Sequence, residues 1–260
     1  YIDIGVNLTG SSFRSDLDDV IQRALDAGVS QMIVTGTDID HSRRALELEK
    51  RYPGILKSTA GVHPHHAGEF DPSDISVLRE LCARESVVAV GECGLDYNRN
   101  YSTPADQRAV FAVQLQLACE LGLPVFLHQR DAHDDFVSMI NEYVDELSGA
   151  VAHCFTGTGD EAAEYLAMGM YIGVTGWICD ERRGRGLQQA VRDIPLEKIM
   201  LETDAPYLLP RDLGRDAVQK RRNEPCYLPH ICAATAKYMG VEHQRMALSS
   251  VENTRRFFSI

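Results

Sequence analysis

Eight β-rich runs, each followed by a stretch of helical periodicity, a length of 260 residues, and ionisable residues at the run ends predict an α/β chain, a (β/α)8 TIM barrel forming a single domain over 1–260. One barrel of this kind takes ~250 residues, so the length leaves little for a second unit. The runs are 2–8, 31–35, 57–62, 87–92, 124–128, 150–153, 171–175 and 198–203. Between them, stretches such as 14–27, 41–51, 75–84, 105–121 and 132–147 repeat apolar residues at three- and four-residue intervals, the period of a helix with one buried face. The tail 227–260 reads as two more helices that complete the outer ring.

The strand runs show little polar alternation, which is the mark of parallel strands covered on both faces. No GxGxxG follows the first strand, which removes the main argument for a dinucleotide-binding sheet. Hydrophobic residues make up 44% and charged residues 25%, ordinary for a globular chain, and no apolar run reaches the ~18 residues of a membrane span. The chain opens Tyr1-Ile2-Asp3 without a charged and then apolar leader, so no secretory signal is expected, and a trimmed initiator Met explains the start. Seven cysteines, an odd number without CxxC spacing, suit buried thiols in a reducing compartment, and cytoplasm is the expected location. A monomer is the default expectation.

The ionisable residues carry the functional argument. His63 ends the third run, Glu92 the fourth, His128 the fifth, His153 the sixth and Asp204 follows the eighth. In a barrel these positions meet at the C-terminal mouth, where catalysis sits because the strand ends converge. Any one of them alone suits a hydrogen-bonded structural role. Five together would leave buried imidazoles and carboxylates uncompensated unless a cation joined them. Neutral imidazole and carboxylate oxygen bind Mg, Mn, Zn or Fe without redox chemistry, so the five together are a candidate hydrolytic metal site.

Strand alternation adds neighbours on the same face: Arg130 two after His128, His65 two after His63, and Glu202 two before Asp204. Arg130 suits a two-oxygen clamp on phosphate, or else a salt bridge with Asp131 or another nearby acid. Glu202 suits a carboxylate that orients a histidine ligand, or an interior ion-pair partner. The net charge is −12, awkward for a nucleic-acid enzyme, but two loops are locally basic: 181–186, with Arg182, and 220–225, with Arg222. Both are candidate substrate contacts as well as ordinary solvated surface. Tyr97, Trp177 and Tyr207 follow strand ends, where they can stack on bases or simply pack.

The strings GVHPHH (61–66), GECGLDYNRN (91–100), PVFLHQRDAH (124–133), AHCFTGT (152–158), YIGVTGWICDERRG (171–184), LETDAPYLLPRD (201–212) and RNEP (222–225) resemble the TatD family of metal-dependent deoxyribonucleases, within the amidohydrolase-like superfamily. The similarity runs nearly end to end with the motifs in order. It implies the same barrel, a metal-dependent 3'-5' exonuclease on single-stranded DNA with RNA as a second candidate, and a role in DNA repair or degradation. It implies that Glu92, His128, His153 and Asp204 hold metal and that Asp204, His63 and Glu92 are catalytic, with His63 near the scissile phosphate. His63, when protonated, is expected to serve the leaving 3' oxygen. One departure stands out: relatives with His-x-His after the first strand's aspartate are matched here by Gly5 and Asn7. Losing two imidazoles puts a full second metal site in doubt and shifts preference from Zn2+ toward Mg2+, with Mn2+ an alternative.

A metal-dependent small-molecule hydrolase, acting on an amide, lactone or phosphotriester, is the rival reading, since fold alone does not separate the two. Its signature is a full His-x-His pair or a carboxylated strand-end lysine, and the chain has neither near the predicted mouth. A silent binding protein is disfavoured because Glu92 and Asp204 are both present.

Overall fold

The computed structural model describes residues 1–214 and 222–260; Lys220 and Arg221 of the second basic run lie outside the described residues. Eight parallel strands form one sheet in sequence order: β1 (Ile2–Val6), β2 (Gln31–Val34), β3 (Leu56–Ala60), β4 (Val87–Asp96), β5 (Val125–Arg130), β6 (Ala150–Ala152), β7 (Tyr171–Val174) and β8 (Ile199–Leu201). The first and last strands meet through a parallel bridge between Val6 and Ala205. There the Asn7 N–H donates to the Ala205 carbonyl at 2.8 Å and the Asp204 N–H to the Gly5 carbonyl at 2.9 Å. The sheet is thereby closed, which removes its edges.

Among the described residues, nine α-helices surround the sheet: α1 (Leu17–Asp26), α2 (Ile39–Arg51), α3 (Asp74–Cys82), α4 (Pro104–Leu121), α5 (His133–Asn141), α6 (Gly159–Ala167), α7 (Arg185–Ala190), α8 (Leu228–Met239) and α9 (His243–Phe258). Their ends follow local chemistry. Helix α4 starts where Thr103 accepts the Asp106 N–H ahead of Pro104, and α6 starts on a reciprocal pair between Thr158 and Glu161. Both caps occupy backbone N–H groups that the first helical turn leaves without an intrahelical partner.

Ile4, Ile33, Ala89, Phe126, Val151 and Met200 pack inside the barrel, with Phe258 of α9 in the same buried cluster. Phe257 lies edge-on to Tyr171, the first residue of β7, with ring centroids 5.2 Å apart. The last helix therefore plugs the N-terminal end of the barrel, and the opposite mouth is left for polar side chains. The larger apolar cluster fills the layer between sheet and helices.

The largest departures from the expected boundaries are in β4, α5 and α1. β4 runs four residues past Glu92, because Cys93, Gly94, Leu95 and Asp96 continue the ladder onto Leu127 to Arg130 of β5. α5 stops at Asn141, well short of residue 147, and α1 begins at Leu17, after a 3-10 turn at Ser11–Phe13. No helix of the described residues is long and apolar enough to cross a membrane.

Asp3 is buried in β1 and ties the barrel seam: it accepts from the Thr203 N–H at 2.9 Å, the Thr203 hydroxyl at 2.5 Å and the Gly5 N–H at 3.3 Å. Burial outweighs these bonds and pushes its carboxyl from 3.8 up to about 7. The folded state therefore holds a proton that the unfolded chain has released, and Asp3 disfavours folding increasingly as pH rises from about 4 to about 7. With chelator present, wild type is expected to lose stability relative to Asp3→Asn across that window in urea melts, and parallel pH profiles would contradict this.

Candidate metal centre

The site is built from the two long central strands outward. The Glu92 N–H donates to the Gly36 carbonyl at 2.7 Å, and the β4–β5 register shifts between Gly91 and Cys93. Gly94, at φ +141°, sits so close to the His128 carbonyl that a Cβ there would overlap it. Only glycine lets β4 approach β5 this closely, and the approach sets Glu92 beside His128.

Glu92 is the hub. Its Oε1 lies 2.9 Å from His128 Nδ1, 3.3 Å from His63 Nε2 and 3.6 Å from His153 Nε2. Burial pushes its carboxyl up, but the imidazoles of His63, His153 and His128 outweigh burial and hold it well below the usual carboxylate range. His63 Nδ1 accepts the His65 N–H at 3.1 Å, so its Nε2 carries the proton and faces Glu92.

The opposite wall is made by β1, β6 and β8. His153 Nδ1 lies 2.5 Å from Glu202 Oε2, and Glu202 Oε1 accepts the Cys154 N–H at 2.5 Å, while the His153 ring packs on Phe126 with centroids 4.6 Å apart. Glu202 thus claims the Nδ1 proton and leaves Nε2 aimed at Glu92, the orientation that suits a ligand. Asn7 Nδ2 donates to Asp204 Oδ1 at 2.9 Å.

The departure at position 5 has a steric reason. A Cβ at Gly5 would collide with the Glu202 carboxylate and come within 3.3 Å of His153 Nδ1. The space of a first-strand imidazole is therefore taken by the Glu202–His153 pair, and Asn7 is turned to Asp204.

The donor chemistry fits a divalent cation. His63, Glu92 and His128 offer ligand atoms within 4.8 Å of one another, and so do His153, Cys154 and Asp204. Nε2 of His128 is buried without a hydrogen bond, lying 3.3 Å from Asp96 Oδ2 but out of line with it. Burial pulls both ligand-type histidines down, yet Asp96 and Glu92 raise His128 to about 8, and Glu202 and Glu92 raise His153 to about 10. Asp204 is pushed to about 7 by burial, with Glu92 and Glu202 adding to it against His153. At neutral pH the cation-free cluster therefore carries protons that a bound ion must displace. Titration calorimetry of Mn2+ into the protein is expected to show proton release and affinity rising from pH 6 to 8; heats independent of buffer ionisation enthalpy would contradict it.

Burial lowers His63 to about 4 against the opposing pull of Glu92, so it is neutral at physiological pH. Exclusion of water disfavours the charged ring more than one shared carboxylate favours it. The other expected contacts divide. Arg130 is exposed, and its side chain makes no hydrogen bond or ion pair among the described residues; Asp131 pairs instead with Asn98. His65 binds Asp96 at 2.8 Å and lies edge-on to Tyr101. Arg182 is exposed on its loop, with only its backbone N–H held by Asp180. Arg222 is clamped between Asp16 at 2.7 Å and Glu224 at 2.9 Å and stacks over Phe13, so its charge is balanced within the fold.

Tyr97 is held by Asp135 at 2.6 Å and is a packing residue, whereas Tyr207 and the unexpected Tyr101 are 62% and 68% exposed. Trp177 lies under the Arg183 guanidinium at 4.4 Å. Asp96 is the main residue missed, hydrogen-bonded to His65 and lying 3.3 Å from His128 Nε2; burial raises its carboxyl but these two imidazoles and the Arg99 N–H bring it far down. Its signal was present, since Asp96 lies four after Glu92 and shares its strand face.

Fold and cluster together define a class: a (β/α)8-barrel hydrolase whose strand-end imidazoles and carboxylates are arranged for a divalent cation. The family profile described as TatD related DNase matches residues 2–259. The chain belongs to that family. It is 51% identical over 258 residues to the 3'-5' ssDNA/RNA exonuclease TatD of Yersinia pseudotuberculosis, covering 99% of each chain. Against the protein of the same name from Erwinia tasmaniensis it is 50% identical, again with 99% of each chain covered. Among solved structures, a TatD homologue from Escherichia coli K12 superposes with TM-score 0.90 at 28% identity, covering 100% of this chain and 98% of that one. A TatD family hydrolase from Entamoeba histolytica gives 0.88 at 27%, covering 99% and 97%.

Proposed function

We propose that the chain is a divalent-cation-dependent 3'-5' exonuclease on single-stranded DNA and RNA. The observation that carries this is the placement of Glu92 Oε1 within 3.6 Å of three imidazoles from three other strand ends. Polarity and substrate follow the names of the two bacterial relatives at 51% and 50% identity.

In this reading Glu92, His128, His153 and Asp204 hold the ion. A divalent cation bound there supplies charge against the phosphate oxygens and acidifies the attacking water. Asp204, its Oδ1 fixed by Asn7, takes that water's proton through Oδ2, which no described residue bonds. His63 donates its neutral Nε2–H toward the phosphate instead of protonating the leaving oxygen. Arg130, with no internal partner, clamps the phosphate, and His65 with Tyr101 and Tyr207 lines the path of the strand. Mg2+ is preferred, with Mn2+ able to substitute, because Glu202 and Asn7 stand where further imidazoles would favour Zn2+. Seven free thiols suit a cytoplasmic setting, where degradation or repair of DNA ends is the fitting role.

The test is digestion of 5'-end-labelled single strands with Mg2+, Mn2+ or EDTA. A ladder shortening from the 3' end that needs the ion, prefers frayed ends over closed duplex and weakens with added salt supports the reading. Equal cleavage of closed circular duplex in EDTA refutes it. Arg130→Ala is expected to raise KM about 10-fold or more with kcat nearly unchanged, since it binds phosphate before and during reaction alike. A matching fall in kcat instead would place Arg130 in the chemistry.

A further inference from the structure

We infer that Cys179, Asp212 and His230 form a second cation site, one for a zinc-class ion, that shares no residue with the barrel-mouth cluster. It is independent of the nuclease reading. Cys179 ends the 3-10 turn at Gly176–Cys179 after β7, Asp212 lies in the loop after β8, and His230 is in the first turn of α8. Three separate segments thus bring a thiol, a carboxylate and an imidazole within 4.8 Å of one another. Ligands around a tetrahedral zinc lie ~3.5 Å apart, so a shift of about 1 Å completes the geometry. Asp212 and His230 are partly exposed and free to make that shift, while Cys179 is buried and fixed.

The contacts around the triad sort the charges in its favour. Asp180, next to Cys179, is already engaged by Arg183 at 2.8 Å and Arg211 at 3.2 Å, whereas among the described residues Asp212 faces His230, at 2.7 Å, and the Cys179 thiol. An Asp–His pair this exposed contributes little by itself and has no need of a buried thiol. Burial, and then the Asp212 carboxylate, push the Cys179 thiol up, so without an ion it keeps its proton. Zn2+ binding replaces that proton, forming one S–Zn bond while H+ passes to solvent, with no change of oxidation state. A polar pocket lined by Cys179, Asp180, Glu181, Arg182, Arg211 and Asp212 leaves room for a water as the fourth ligand. Sulfur in the donor set selects Zn2+ over Mg2+, opposite to the barrel mouth. The ion would pin together the turn after β7, the loop after β8 and α8, which fixes the segments carrying Arg182, Arg183 and Arg211.

The full chain, stripped of metal, is titrated with Co2+ as the optical probe and with Zn2+ by equilibrium dialysis. A near-ultraviolet thiolate-to-cobalt band is expected in wild type and in Glu92→Gln, absent in Cys179→Ser, and retained in Cys154→Ser. His230→Ala, a change at a partly exposed position that spares the core, is expected to weaken Zn2+ binding about 10-fold or more and to abolish the Zn2+-dependent rise in Tm that is expected in Glu92→Gln. A band that survives Cys179→Ser, or vanishes in Cys154→Ser, overturns the assignment, as does the absence of any thiolate band at saturating Co2+. Unchanged Zn2+ affinity in His230→Ala overturns it without reference to the buried cysteine.

Discussion

Replacing Glu92 with Gln is expected to lower turnover on single-stranded DNA at least ~10³-fold while leaving the fold intact. The reason lies in one oxygen. Glu92 Oε1 is the negative centre between His63, His128 and His153, at 3.3, 2.9 and 3.6 Å. Gln has the same shape but no charge, and its amide hydrogens would oppose the proton on His63 Nε2. The cation loses its strongest anionic ligand, and His128 and His153 lose a partner that holds them in place. Single-turnover rates with saturating Mg2+, beside circular dichroism and Tm, check this. Activity within about 3-fold of wild type would remove Glu92 from the proposed chemistry.

The second large effect is expected at Glu202, which touches no substrate in this account. Its carboxylate accepts from the Cys154 N–H and takes the His153 Nδ1 proton, both at 2.5 Å. Glu202→Gln can keep only one of these contacts as an acceptor. If the amide nitrogen faces His153, the ring must move its proton to Nε2, and the lone pair aimed at the metal is lost. Metal affinity is expected to fall about 10- to 100-fold, with kcat largely recovered at high Mn2+. The pair is fully buried, and breaking it is also expected to cost stability by about 3–5 kcal/mol. Rescue by excess ion separates a positioning role from a catalytic one. A variant with wild-type metal affinity would show that the tautomer is set elsewhere.

The barrel was legible because its signal is repetitive: eight apolar runs alternating with helical stretches favour closure into a barrel over an open doubly wound sheet. The residues at the mouth were legible for a related reason, since strand ends are where a barrel exposes polar side chains to each other. Asp96 was missed because the fourth run was ended at Glu92. Its continuation depends on Gly91 and Gly94, which read as breakers in sequence but in space admit the neighbouring backbones. The neutrality of His63 was not readable either, because it follows from burial at the meeting point of three elements and not from its neighbours in the chain. The partners of Arg222 were likewise out of reach of the local sequence. Its basic run looks like a phosphate patch until Asp16, two hundred residues earlier in the chain, is found against it.

The net charge of −12 now has a spatial answer. Arg222 and Arg23 are tied to Asp16 and Glu224, and Arg183 and Arg211 to Asp180, so much of the basic surface is internally balanced. Arg130 and Arg182 are among the basic residues that are exposed and unpaired through their side chains among the described residues. A cation in the mouth adds to these two and gives a local positive field on an acidic body, which favours a single flexible strand end over a rigid duplex.

The central claim is that one divalent ion is gripped by side chains from four strand ends. Anomalous diffraction from crystals soaked in Mn2+ measures this directly. A peak is expected within about 2.3 Å of donor atoms on Glu92, His128, His153 and Asp204, absent from Glu92→Gln crystals. A peak found only elsewhere, with the mouth holding water under conditions where the enzyme cleaves DNA, would contradict it.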